Sequence, residues 1–120
     1  MTQNSPISLK QISDSYLEKH KSSIVSEIND SCLRLAVNEG IFDWHYHPNS
    51  DELFLVLEGC LTIEFHDQRS VELRPGDIFS VPAKKIHRTV AKNRTVNLCF
   101  ELTKSETVFL QNERAQDGAY

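Results

Sequence analysis

The feature that most constrains this chain is a change of hydrophobic period about twenty residues in. Before it, Leu9, Ile12 and Tyr16 recur at helical spacing behind Ser8 and Gln11, which are placed as in a capping box. A short amphipathic helix is predicted over about residues 9–19. After it the period falls to two. Leu33, Leu35 and Val37 alternate with Arg34, Ala36 and Asn38, and Leu61, Ile63 and Phe65 with Thr62, Glu64 and His66. Val96, Leu98, Phe100 and Leu102 alternate with Thr95, Asn97, Cys99 and Glu101. Turn signals separate these runs: Asn29-Asp30, Asn38-Glu39-Gly40, Pro48 to Asp51, Glu58-Gly59, Pro75-Gly76 and Lys92-Asn93. Many short strands joined by tight turns predict an all-β sandwich or barrel with a short N-terminal helix. The expected organisation is an N-terminal segment over 1–22, a β-barrel over 23–110 and a frayed polar tail over 111–120.

One strand departs from the alternation. Glu52-Leu53-Phe54-Leu55-Val56-Leu57 is apolar at both parities, so both of its faces require cover. A small barrel covers only the inner face. The N-terminal segment or a second subunit must hide the other, and a homodimer is expected on this ground. The formal charge of −4, with no basic cluster, argues against a nucleic-acid partner. The run from Leu53 to Leu57 is far too short to span a membrane. No basic stretch followed by an apolar one opens the chain, and Cys32, Cys60 and Cys99 are odd in number and far apart. These features predict reduced thiols and a cytoplasmic location.

The chemistry concentrates in two stretches. His45 and His47 are two apart, so on a strand both imidazoles leave the same face. The turn over Pro48 to Asp51 returns Glu52 at the start of the next strand. Further on, Pro75-Gly76, a short strand and a turn begun by Pro82 deliver His87. Three imidazoles and a carboxylate suit one divalent transition metal ion per chain (Fe, Mn, Ni, Cu or Zn) better than calcium or magnesium. Four protein ligands in an octahedral site leave positions open for a small molecule.

On these residues the chain resembles a small single-domain cupin. Gly40, His45, His47, Glu52 and Gly59 match the first cupin motif in spacing, and Gly76, Pro82 and His87 match the second. Lys84 stands where that second motif has Gly, and Ala91 where it has Asn. The resemblance covers about residues 24–102. It implies a double-stranded β-helix, or jelly-roll barrel, with a metal inside, held by His45, His47, Glu52 and His87, and usually a dimer. It does not imply a reaction, because one fold hosts many chemistries.

Parity extends the reading to the pocket. Asp43 shares the parity of His45; Phe54 and Val56 share that of Glu52, and Thr89 that of His87. All four are expected to line the cavity. Trp44 and Tyr46 have the opposite parity and are expected to point away from the metal and to pack at the outer face or a dimer contact. His20 and His66 read as surface histidines, and Lys84 and Lys85 as a solvated turn. The function expected is metal-dependent chemistry on a small molecule, oxygenase-like or isomerase-like. The alternative is a non-catalytic module that binds or senses a small ligand or metal. No convergent general base is evident in the sequence beside the ligands.

Overall fold

The structure is a computed structural model that describes residues 5–111. Helix α1 (Leu9–Ser15) is followed by eight strands: β1 (His20–Ile28), β2 (Ser31–Tyr46), β3 (Glu52–Glu58), β4 (Leu61–Phe65), β5 (Val71–Leu73), β6 (Ile78–Val81), β7 (His87–Leu102) and β8 (Val108–Phe109). The Ser8 hydroxyl accepts the Gln11 N–H at 3.2 Å and caps α1. The helix ends earlier than its apolar spacing predicts, because Tyr16 turns extended and the chain departs to begin β1. Residues 112–120, most of the expected tail, lie outside the described residues.

The long strands β2 and β7 organise the barrel. They pair antiparallel along nearly their whole length, from Ser31↔Leu102 to His45↔His87. Their first shared half joins the order β1-β2-β7-β3-β6, while the other half of β7 pairs with β4, which pairs with β5, and the other half of β2 pairs with β8. Two continuous strands thus pass through both walls. β2 changes direction at Gly40, whose φ of +107° coincides with a shift of register. This is the jelly-roll barrel expected from the sequence.

Two apolar clusters hold it together. Inside the barrel Phe54, Val56, Leu61, Ile63, Phe65, Leu73, Val81 and Ala91 form one buried core with Cys99. Outside it, Leu35, Val37 and Val96 are buried beneath Leu9, Ile12 and Tyr16. The N-terminal segment therefore covers the Leu57 end of β3's outer face. Leu53 and Leu55 are only half-buried, and Phe100 beside Leu53 is 41% exposed. Cys32, Cys60 and Cys99 are free thiols. Among the described residues no helix is long and apolar enough to cross a membrane.

Candidate metal centre

His45 stands near the end of β2, directly across from His87 at the start of β7. His47 follows just beyond β2, and Glu52 opens β3 after the intervening turn. One potential ligand atom from each of the four lies within 4.8 Å of every other, and all four residues are buried. The turn that joins His47 to Glu52 is pinned on two sides. Asn49 donates to the Lys104 carbonyl (3.0 Å) and accepts from the Glu106 N–H (2.9 Å), while the Asp51 carboxylate accepts the Ala83 N–H (2.8 Å). The hydroxyl of buried Ser50 accepts the Leu102 N–H at 3.0 Å. These backbone ties hold the cluster in place without demanding anything of the ligand atoms.

Each histidine is oriented by its Nδ1. His45 donates to the Asp43 carbonyl (2.7 Å), His47 to the Glu106 carbonyl (2.9 Å) and His87 to the Lys85 carbonyl (2.9 Å). A carbonyl can only accept, so each Nδ1 carries a proton and each Nε2 faces the barrel, where it offers a lone pair whenever the ring is neutral. Orientation of this kind by a backbone carbonyl is usual for metal-ligating imidazoles. His47 Nε2 lies 3.0 Å from Glu52 Oε1, and His87 Nε2 lies 3.4 Å from the same oxygen. His87 Nε2 is wholly buried and has no hydrogen-bond partner. The four converging donor atoms form a group that could hold a metal ion, and three imidazoles with a carboxylate suit a divalent transition metal.

The electrostatics agree. Burial, and then the neighbouring His87, lower the pKa of His45 to about 4. Burial also opposes a charge on His47, but the hydrogen bond to Glu52 and its charge outweigh it and raise the pKa. Burial would raise the pKa of Glu52, yet the hydrogen bond to His47 and the nearby His87 imidazole hold the carboxyl well below the usual carboxylate range.

The second-motif turn keeps its shape despite lacking glycine. Lys84 takes a φ of +71°, the left-handed region that glycine would enter freely, and its N–H donates to the His47 carbonyl at 2.8 Å. The two motifs are therefore stitched together through the backbone of a lysine. Lys85 is not a free solvated charge: its ammonium pairs with Asp67 at 3.4 Å and lies 5.2 Å from the centre of the Phe65 ring.

The cluster opens onto a cavity of about 290 Å³. Phe54 and Thr89 line it as expected from parity, while Val56 sits fully buried in the core and does not. Asp43 does not line it either. The ladder between β2 and β7 slips between Phe42 and His45, so one extra residue on β2 reverses the alternation there. Phe42 takes the inward place, and the exposed Asp43 accepts the Trp44 N–H at 2.8 Å. It is Asp43's carbonyl, not its carboxylate, that serves the site. Trp44 packs outside the barrel between His66, 4.3 Å between ring centres, and the Arg88 guanidinium at 4.7 Å.

The sequence reading missed the other wall. Arg34, Asn38, Asn97, Cys99 and Glu101 face the same cavity. Arg34 Nε pairs with Glu101 Oε1 at 3.1 Å, and Asn38 donates to Asn97 at 2.5 Å. Burial and the nearby Glu52 raise the pKa of Glu101; burial and Glu52 likewise push the Cys99 thiol well up, leaving it neutral. The signal was available in the sequence as charges at alternate places, Arg34 between two leucines and Glu101 between Phe100 and Leu102.

Comparison with known proteins bears on this barrel and its site. The family profile described as the cupin domain (Cupin_2) matches residues 32–99. The chain is a cupin. It is 47% identical over 105 residues to an uncharacterised protein, YdbB, of Bacillus subtilis, covering 88% of this cupin and 93% of that protein. Among solved structures, a cupin-2 domain protein of Shewanella frigidimarina superposes with a TM-score of 0.75 at 30% identity, over 80% of this chain and 93% of that one. Protein NMB1881 of Neisseria meningitidis superposes with a TM-score of 0.74 at 27% identity, over 82% of this chain and all of that one (100%).

Proposed function

We propose that this cupin binds one divalent transition metal ion through His45, His47, Glu52 and His87 and uses it on a small molecule held in the adjoining cavity. The observation that carries the reading is the buried, partnerless Nε2 of His87 within a group of converging donors. A satisfied core histidine would have a partner there. When bound, the ion supplies Lewis acidity, or redox chemistry if it is iron. The chain supplies the rest. Backbone carbonyls fix the three imidazole tautomers, and Phe42, Phe54 and Leu61 give part of the cavity an apolar wall that limits water. Glu101, a carboxylate paired with Arg34, is the group of this wall suited to take up a proton, which the isomerase-like form of the reading requires. A non-catalytic binder would use the same cavity without such a step.

Elemental analysis of protein purified without added metal tests the core of this reading. About one transition metal ion per chain is expected, lost in His47→Ala. Absence of any such ion from the wild-type protein would overturn it. Product analysis on every small molecule that raises the melting temperature then separates enzyme from binder: a ligand returned unchanged favours the binder.

We also propose that the open part of the outer sheet face pairs two copies of the chain. Leu33, Phe100 and Leu53 form one cross-strand row, and Leu55 and Ile78 continue the next beyond Leu35 and Leu98, which pack toward α1. Phe100 and Ile78 remain 41% and 58% exposed while α1 covers only the other end. Light scattering should give a dimer mass that falls to the monomer in Phe100→Asp. A wild-type monomer at micromolar concentration would refute the pairing.

A further inference from the structure

Arg34 and Glu101 are unusual occupants of a barrel interior. They sit on β2 and β7, and Arg34 is directly across from Cys99 in the wall of the cavity. The Glu101 side chain is 6% exposed and that of Arg34 33%. Removing an ion pair from water costs about as much as the pair returns, so stability alone does not account for one here. The geometry of the pair leaves a function open. The guanidinium meets Glu101 through its Nε, at 3.1 Å, and Arg34 lines the cavity. A guanidinium held along one edge presents its other edge, two parallel N–H groups, to a planar anion.

We propose that Arg34, held by Glu101, is the recognition residue for the carboxylate of a small hydroxy- or oxo-acid bound in this cavity. The charge of the loaded cavity points to a monoanion, and this step rests on the metal reading above. A divalent ion and Arg34 bring three positive charges; Glu52 and Glu101 bring two negative ones, leaving one positive charge for the ligand to meet. A carboxylate matches that excess, whereas a phosphate dianion exceeds it. The second polar group of the ligand follows from the rest of the wall. Asn38 and Asn97 are joined by one amide hydrogen bond, and Thr89 faces the same space. The Asn38 carbonyl oxygen and the Thr89 hydroxyl can serve a hydroxyl or oxo group, which a simple fatty acid lacks.

Calorimetric titration tests the assignment with glycolate, lactate and pyruvate, beside the uncharged glycolamide, lactamide and pyruvamide. At least one acid should bind wild-type protein about tenfold or more tightly than its amide, the worth of a charge-assisted bidentate contact. The variant Arg34→Gln/Glu101→Gln keeps a hydrogen-bonding pair and removes both charges; it should bind acid and amide alike. A purely structural role would shift the melting temperature and leave the preference for acid over amide intact. That outcome, or failure of every acid to bind the wild-type protein, overturns the proposal. The two readings can fail separately. Arg34-dependent acid binding in protein that holds no metal would sustain this one against the metal reading. Stoichiometric metal without any preference for acids would do the reverse.

Discussion

Strands β4 and β7 lie side by side in the barrel wall, with Ile63 opposite Thr89, yet they turn opposite chemistry inward. From β4 come Leu61, Ile63 and Phe65, all within the buried apolar core. From β7 come His87, Thr89, Asn97 and Glu101, buried with their polar atoms at the site and the cavity, while only Ala91 and Cys99 join the core. The outer face of β7 is the apolar one: Val96 and Leu98 pack toward α1, and Phe100 lies exposed beyond it. One strand supplies cohesion from inside, and its neighbour supplies cohesion from outside so that its inner face is free for function. The barrel thereby separates what holds it together from what it is proposed to bind.

That separation can be broken by mutation. Ile63→Ala removes a fully buried side chain from the apolar side and should cost about 2–5 kcal/mol in denaturant unfolding. Its metal content per folded chain should not change. The matching change on the polar side, Arg34→Gln/Glu101→Gln, should cost at most about 1 kcal/mol, because the ion pair it removes is partly offset by desolvation. Comparable losses from both would show that the inner face of β7 carries the fold as well.

Removing metal probes the same division one step down. With free ion at about a hundred times its dissociation constant, bound metal adds roughly 2.7 kcal/mol of stability. Chelation should remove that increment and leave a cooperatively folded protein, since no ligand belongs to the apolar core. Thermal unfolding with and without chelator checks this, and His47→Ala should be insensitive to the treatment. A chelated protein that does not fold would make the polar side a structural metal site.

The contrast between the strands also explains how far the sequence could be read. Alternation in Val96 to Leu102 marks two faces clearly, but nothing in a period of two says which face is inside. That depends on α1, which lays Leu9, Ile12 and Tyr16 over the apolar face and lets the polar one turn inward. Arg34 and Glu101 were consequently visible as charges and invisible as cavity residues. The four converging donors were legible because their spacing falls within short, regular segments and turns. Asp43 was misplaced for a local reason: parity counts fail across a bulge, and no glycine or proline at 42–45 announces one. The supports of the cluster, such as the Glu106 and Lys85 carbonyls, are backbone atoms and leave no mark in residue identity.

Lys84 offers the smallest and sharpest test, at the seam between the two motifs. Its backbone pays for a left-handed conformation, a cost of about 1–2 kcal/mol for a residue with a Cβ. Glycine avoids that cost but gives up about 0.5–1 kcal/mol of chain entropy on folding. The exposed Lys84 side chain takes part in none of the contacts that build the site, and the N–H bond to His47 survives the change. Lys84→Gly should therefore stabilise the protein by up to about 1 kcal/mol, seen as a higher urea midpoint at unchanged slope. Metal content should stay the same, because the substitution preserves the turn that delivers His87. A lower midpoint would mean that the lysine side chain stabilises the turn in its own right, and that the match to the cupin motif at this position is conformational only by coincidence.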